Sequence, residues 1–560
     1  MGKLQSFYSL CLISISLCVL SSCGINKSVN NRPEIIKYKT VIPEKQIIND
    51  STFFAGNNFL IKNKQGLWEL YIEGNPLEIG LITGLLSDSL MYKQEAIFFN
   101  KIRELVPSEG KQKFLRKFLS WYNRKMYKHV LEEFKTEIYG LSNYASPEFN
   151  GIAPPYLRTL YLQGAHDIGH ALQDLALVGC TSFAAWGEKT EDKKLLIGRN
   201  FDFYAGDDFA ENKIIAFINP TAGHPFVSVT WGGMIGVVSG MNTQGLTVTI
   251  NAGKSKIPLV AKTPISIVTR EILQYASTID EAIAIAKSRE VFVSESIMVG
   301  SAKDKRAVII EVSPKKFGVY DVQNNNQLVC SNHFQSNTYV SDKRNLKAIE
   351  ESHSAYRFNR METLLNQNTT LNPTRGVSIL RNKKGHNDHA IGYGNEKALN
   401  QLLAHHGIVF QPEDLKVWIS SNPYQLGEFV AYDLNTVFNN RDQNPSAQSL
   451  QNTSLNIAKD PFLDTKAYAN YEAYRILERQ IEHAINNNVS LDNAVLNKAI
   501  VLNPNYWKAY ALAGNYYYKH KEYSAAAEAY ESALTKEIPT LLDTEHITKY
   551  LKKATRKSNK

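Results

Sequence analysis

Gly179-Cys180-Thr181-Ser182-Phe183-Ala184-Ala185 and Leu195-Leu196-Ile197-Gly198-Arg199-Asn200-Phe201-Asp202 are two short apolar runs. Between them lies the charged stretch Glu188-Lys189-Thr190-Glu191-Asp192-Lys193-Lys194. A charged insert between two β-forming runs reads as a hairpin. With its midpoint near Glu191, antiparallel pairing sets Cys180 opposite about Asp202. A thiol, the Arg199 guanidinium and a carboxylate are then brought together by register alone. Such a trio suits a nucleophilic cysteine, because the thiolate is the reactive form and a nearby cation lowers the thiol pKa. If Cys180 is also a chain terminus, its α-amino group can take the thiol proton. The reference pKa of that amine is about 8, so no histidine is required. Asp202 would hold the amine.

Downstream, β-rich runs alternate with turns: Ile214 to Ile218, Phe226 to Trp231, Ile235 to Ser239, Leu246 to Asn251, Ser296 to Gly300, Arg306 to Val312, Gly318 to Val322 and Leu328 to Cys330. A helical pattern around Pro264 to Lys287 interrupts them, which predicts an α+β domain of sheets packed with helices. Upstream, the pattern is largely helical. In Gln112 to Leu119 apolar residues recur at helical spacing with basic residues between, read as the solvated face of an amphipathic helix. Asp442 to Asp460 is rich in Asn, Gln, Ser and Pro and reads as a linker. Beyond it Ala499 and Ala533 stand 34 residues apart, the tetratricopeptide period, with Tyr510, Gly514, Tyr517, Ala526 and Tyr530 on small and aromatic positions. A plain helical hairpin fits that stretch equally well.

At the N-terminus Lys3 is the only charge before an apolar run from Phe7 to Leu20, followed by Leu20-Ser21-Ser22-Cys23-Gly24. The run is too short for a spanning helix and reads as a secretory signal. Leu-Ser-Ser-Cys resembles the bacterial lipobox, which implies lipidation of Cys23 and anchoring in the bacterial cell envelope, on the outer-membrane side. Of five cysteines, Cys11 and Cys18 fall within the signal, leaving Cys180 and Cys330 as thiols and no disulfide framework. Cys330 reads as core packing. His166 and His170 share helical spacing but lack a further ligand, so they read as packing and no metal is expected. The net charge of +9 over 560 residues comes without a compact basic motif, which argues against a nucleic-acid partner.

Gly179-Cys180-Thr181-Ser182 followed by Ile197-Gly198-Arg199-Asn200-Phe201-Asp202-Phe203 resembles the N-terminal-nucleophile (Ntn) cysteine hydrolases, and most closely the acyl-coenzyme A:6-aminopenicillanic acid acyltransferase family. Acid ceramidase and choloylglycine hydrolase are more distant relatives. The likeness continues through Gly240-Met241-Asn242-Thr243-Gln244-Gly245-Leu246, Thr249-Ile250-Asn251, Ser331-Asn332-His333-Phe334, Ser354-Ala355-Tyr356-Arg357, Asn422-Pro423-Tyr424 and Tyr432-Asp433. Upstream it takes in Gly74-Asn75-Pro76-Leu77-Glu78-Ile79-Gly80. The resemblance implies cleavage between Gly179 and Cys180, with Cys180 as nucleophile and new N-terminus. It implies Arg199 and Asp202 as its activating pair, Asn251 and Asn332 as oxyanion donor and orienter, and Arg357 as a late arginine completing the site.

The implied fold is a four-layer αββα sandwich. The expected units are a signal at 1–23, a tether at 24–64, a helical region at 65–179, the catalytic domain at 180–440, a linker at 441–462, tetratricopeptide-like helices at 463–545 and a basic tail at 546–560. The implied activity is cleavage of a C–N amide bond in an N-acylated small molecule, with a fatty amide as one candidate. It proceeds through a thioester on Cys180, without a cofactor, and the acyl group passes to water or an amine. Two rivals stand beside it: a lipid-ester hydrolase resembling phospholipase-B-like proteins, and a non-catalytic lipoprotein whose helical repeat binds a protein partner.

Overall fold

The computed structural model describes residues 25–165, 167, 179–203, 206–254, 260–367, 370–439 and 448–559. Cys23, His166 and His170 lie outside them, and so does most of the segment just before Gly179.

Two sheets form the frame. The larger contains β1 (Gln46–Asn49), β2 (Thr52–Ala55), β3 (Asn58–Lys62), β4 (Trp68–Gly74), β7 (Ile214–Pro220), β8 (Phe226–Thr230), β9 (Ser239–Asn242), β10 (Leu246–Ala252), β11 (Glu295–Ser301), β12 (Arg306–Val312) and β13 (Phe317–Tyr320), in that spatial order. Its neighbours are antiparallel except β4 and β7, which run parallel. The smaller sheet has the order β14 (Gln327–Cys330), β5 (Thr181–Ala185), β6 (Leu196–Phe201), β15 (His406–Gln411), β16 (Lys416–Ser420) and β17 (Phe429–Asp433).

Alternation of side chains along the strands builds four layers. Phe217, Val227, Met298 and Ile309 of the large sheet meet Ala184, Ile197, Ile408 and Ile419 of the small one. The opposite face of the large sheet packs Ile72, Val248, Ile297 and Ile310 on Val268 and Ile272 of the helix Ile265–Tyr275 and on Ile79 and Ile82 of the helix Pro76–Leu105. The outer face of the small sheet packs Phe183, Leu196 and Val409 on Met361 and Leu365 of the helix Ser354–Gln367 and on Val377 of the helix Pro373–Leu380. Period-2 alternation serves both faces because each is covered. Each fully buried large apolar side chain contributes about 1.5–3 kcal/mol. The four-layer αββα sandwich is therefore present in the chain's own packing.

Several expected boundaries are corrected. Residues 46–62 of the expected tether form β1 to β3, and β4 opens the region expected to be helical. Phe54, Phe59 and Ile61 enter the core between the sheets, which fixes a segment that its lysine-rich flank made look free. The expected strand Ile235 to Ser239 begins only at Ser239. The described part of the linker is a strap on the edge of the small sheet. Its Ile457 bridges Phe429 of β17, and Ser449 and Leu450 donate to the buried Glu69 carboxylate. Covering an edge strand in this way removes a free pairing surface. Residues 546–558 of the expected basic tail belong to the helix Leu541–Ser558, which buries Ile547 and Ala554.

The C-terminal region is helical: Lys466–Asn487, Asn493–Leu502, Trp507–Lys519, Tyr523–Leu534 and Leu541–Ser558. Ala499, Ala526, Tyr530 and Ala533 are fully buried there. A methyl group on Gly514 would meet the Tyr530 ring at 2.7 Å, so glycine sets the close approach of two of these helices.

Candidate active site

The β5–β6 hairpin places the thiol. Its register pairs Thr181 with Asn200 and Ser182 with Arg199, and the Gly179 N–H donates to the Asp202 carbonyl at 3.2 Å. Cys180 therefore stands opposite Phe201, one residue away from the expected pairing with Asp202. A tight turn at Gly187–Lys189 and the left-handed Lys193 (φ 61°) shape the insert asymmetrically. The difference decides the face: with this register Cys180, Ser182 and Arg199 share the inner face, whereas the expected one would put Arg199 on the other side.

Arg199 is fully buried. Its Nη2 donates to Cys180 Sγ at 3.8 Å and to the Ile250 carbonyl, and its Nη1 donates to the Val238 carbonyl at 3.0 Å and to Ser239 Oγ. The guanidinium stacks over Phe201, 4.3 Å from the ring centre. His406 Nε2 holds Ser239 Oγ at 2.9 Å, and His405 Nδ1 meets His406 Nδ1 at 2.9 Å. Burial, with Lys213 and Arg199 nearby, holds both imidazoles well below the usual histidine range, so the pair is neutral.

The thiol does not follow the expectation of a lowered pKa. Burial pushes Cys180 up to about 11, against the pull of Arg199, so it stands as a neutral thiol. The Asp202 N–H points at the same sulfur. The Asp202 side chain is fully buried, and its carboxylate oxygens, like the Gln425 amide that approaches them, form no well-made hydrogen bond. Burial raises this carboxyl to about 7, opposed by Arg357 and Arg199.

Arg357 projects from the buried face of the helix Ser354–Gln367 into the Gly179–Cys180 bond. Its Nη1 donates to the Gly179 carbonyl at 2.6 Å, to the Cys180 carbonyl at 2.8 Å and to Thr181 Oγ1. Its Nη2 donates to Asn332 Oδ1 at 2.7 Å, and its Nε to His353 Nδ1 at 3.1 Å. A second donor, Gln401 Nε2, reaches the Gly179 carbonyl at 3.1 Å.

The two asparagines are close by but turned elsewhere. Asn251 accepts from Ser182 Oγ at 2.9 Å and donates to the Cys330 carbonyl at 3.3 Å. Asn332 Nδ2 donates to the Ala252 carbonyl at 3.0 Å. Cys330 is fully buried, and burial holds its thiol well above the usual range. All six expected site residues are thus gathered at one place, with Gln401, Thr181, Ser239, His406 and Gln425 added to them. Gln401 carries no motif signal, since it rides a long loop without regular structure. Among the described residues no group of His, Cys, Asp and Glu side chains is placed to hold a metal ion.

Phe201, Phe203, Phe209, Trp231 and Met234 share a buried cluster with Cys180. Phe209 meets Trp231 edge-on at 5.1 Å between ring centres.

The acyl-coenzyme A:6-aminopenicillanic acid acyl-transferase family matches residues 188–423, from the hairpin insert to the loop after β16. The family likeness of the sequence is shown over that span, which begins eight residues after Cys180 and supports an amide-acting hydrolase or acyltransferase. An uncharacterized protein of Archaeoglobus fulgidus is 26% identical over 276 residues, an alignment that spans 45% of this chain and 45% of that protein's length. Among solved structures, a Caenorhabditis elegans N-acylethanolamine-hydrolyzing acid amidase ortholog has 18% identity and a TM-score of 0.31, over 42% of this chain and 93% of its own. A mutant conjugated bile acid hydrolase from Clostridium perfringens has 16% identity and a TM-score of 0.31, over 46% and 93%.

Proposed function

We propose that this chain cuts its own Gly179–Cys180 bond and then uses Cys180 as an N-terminal nucleophile to cleave the amide bond of an N-acylated small molecule. The observation that carries the reading is the seat of the Gly179–Cys180 peptide. Its carbonyl is held by a buried guanidinium, its thiol neighbours a second one, and a buried carboxyl without a well-made hydrogen bond lies near both.

In the first reaction Asp202, ionised above about pH 7, takes the thiol proton and Sγ attacks the Gly179 carbonyl carbon. Arg357 Nη1 stabilises the oxyanion. The C–N bond breaks, the proton passes to the leaving nitrogen, and Gly179 becomes a thioester of Cys180. Water hydrolyses the thioester, leaving a carboxylate on Gly179 and a free thiol and α-amine on Cys180. A buried carboxylate without a well-made hydrogen bond is costly, and the new α-amine becomes its ammonium partner once it has taken the thiol proton. In the second reaction the α-amine takes the thiol proton, Sγ attacks the substrate carbonyl, and the amine product leaves with that proton. Water or an acceptor amine then takes the acyl group. Asn251 and Asn332 serve the oxyanion of this second carbonyl only after their amides turn from the Cys330 and Ala252 carbonyls, to which they donate in the uncut chain. The aromatic cluster beside Cys180 suits an apolar acyl chain.

N-terminal sequencing tests the reading. The purified protein should give a fragment beginning Cys-Thr-Ser-Phe, and Cys180→Ala should stay whole. A wild-type chain that hydrolyses an acyl amide while uncut would overturn it. We also propose lipid anchoring at Cys23. Cys23→Ala should move the protein from washed membranes to the soluble fraction, and persistence in the membranes would sink the proposal.

A further inference from the structure

Gly179 leaves room for something specific. A methyl group added there would lie 2.0 Å from Gln401 Nε2, so the amide of Gln401 occupies the space a side chain would need. From that space it donates to the Gly179 carbonyl at 3.1 Å, on the same oxygen as Arg357. Gln401 is buried, 2% exposed.

No strand or helix carries Gln401; it sits in the run between the helix Pro373–Leu380 and β15. The sandwich holds one side of this run, through Asn200 Nδ2 on the Leu399 carbonyl at 2.9 Å and Asn400 Nδ2 on the Tyr424 carbonyl at 3.0 Å, and the C-terminal helical region holds the other. The Tyr471 hydroxyl donates to the carbonyl of Leu402, the next residue, at 3.2 Å, and the Tyr471 ring backs Gly394 at 3.1 Å from a built methyl. Asn395 Nδ2 donates to the Glu537 carbonyl at 2.8 Å and Lys397 pairs with the Glu537 carboxylate at 2.7 Å. Leu402 itself packs in the core of the C-terminal helices.

We infer that Gln401 is a second catalytic donor of the self-cleavage step, and that the C-terminal helices are an internal clamp holding it on the Gly179 carbonyl. The inference rests on the self-cleavage reading. As Sγ adds to the Gly179 carbonyl carbon, the π electrons move to the oxygen, and two N–H donors from separate elements, Arg357 and Gln401, meet that charge. The donors stand at the carbonyl before reaction, so little reorganisation is required. The C-terminal helices thereby couple completion of the fold to activation: the chain cuts itself efficiently only once its last helices have docked.

The test follows appearance of the two fragments in pulse-labelled full-length chain, with and without hydroxylamine, which intercepts thioesters. Gln401→Glu keeps the shape and loses the N–H donor. It should slow cutting by about 100-fold or more, in line with loss of one oxyanion donor. Hydroxylamine should not restore the rate, because thioester formation is the slowed step. Tyr471→Phe removes one hydroxyl and should slow cutting several-fold in the wild-type background, but no further in Gln401→Glu, because the clamp acts through Gln401. A general folding defect would slow both backgrounds by the same factor. Cutting of Gln401→Glu at the wild-type rate, or full recovery in hydroxylamine, would overturn the inference alone. Equal slowing by Tyr471→Phe in both backgrounds, or none in either, would remove the clamp. A wild-type chain that never cuts itself would overturn the self-cleavage reading, and the inference with it.

Discussion

Arg357 donates to the carbonyl of Gly179 at 2.6 Å, across a separation of 178 residues in the chain. One guanidinium thereby holds the Gly179 and Cys180 carbonyls and the side-chain oxygen of Asn332. Lysine cannot replace this fan of bonds, since it offers a compact charge on a flexible stem. Arg357→Lys should therefore cut itself at least about 100-fold more slowly, close to the loss of an oxyanion donor. Time-resolved gel analysis of newly made chain checks this, and near-normal cutting would remove Arg357 from the step.

Arg199 acts on the thiol rather than on the carbonyl. Burial has raised Cys180, and the Arg199 charge is the strongest pull against it. Arg199→Met should raise the thiol pKa further in the cut enzyme. Alkylation of Cys180 by iodoacetamide at neutral pH should slow, with its pH midpoint moved upwards. An unchanged alkylation profile would show that the 3.8 Å contact carries no electrostatic weight.

Self-cleavage should depend on pH through Asp202. Its carboxyl is raised to about 7 by burial, so it can accept the thiol proton only as pH rises through that value. The rate should climb between about pH 6 and 8 and then level off. Asp202→Asn should be slow at every pH and lack that rise. A wild-type rate that falls across this range would exclude Asp202 as the base.

The same carboxyl makes a stability prediction. Its folded pKa of about 7 lies above its unfolded value near 3.9, so the fold favours the protonated acid. That contribution is fully present below about pH 4 and is lost as pH rises through 7. Asp202→Asn has no charge to lose. In the uncut Cys180→Ala background it should gain stability at pH 8, by at most about 4 kcal/mol at 1.36 kcal/mol per unit, and almost none at pH 4. Thermal unfolding at the two pH values decides it, and an equal effect at both would show that charge is not the cause.

The pair Cys180 and Arg199 was legible because a hairpin with a charged insert needs only local pattern. Pattern could not fix the register to one residue, and that residue decides whether Arg199 faces the thiol. Asn251, Asn332 and Arg357 stand far apart in sequence, and only the family likeness united them. The strands β2 and β3 had a signal in the two-residue turn Gly56-Asn57 between apolar runs, hidden by the polar flank before it. Gln401 had none. Its place is set by distant contacts on its neighbours, from Asn200 on Leu399 and from the Tyr471 hydroxyl on Leu402, 69 residues away, which no local pattern encodes.

Gly179 offers the last prediction. Its backbone does not need glycine, since its φ is not in the left-handed region where glycine is favoured. The need comes from Gln401, whose amide fills the place of a methyl group. In Gly179→Ala the flexible end of Gln401 can swing away, so the fold should survive with little change in melting temperature. The donor would leave the carbonyl, and cutting should slow about 10- to 100-fold while Arg357 still supports the residual rate. Combined with Gln401→Glu, Gly179→Ala should add almost nothing, because both remove the same hydrogen bond. The measurement is the rate of fragment formation in the two single variants and the double. Fully additive losses would mean that alanine harms the cleavage site by another route, and wild-type cutting by Gly179→Ala would mean that the Gln401 amide is dispensable there.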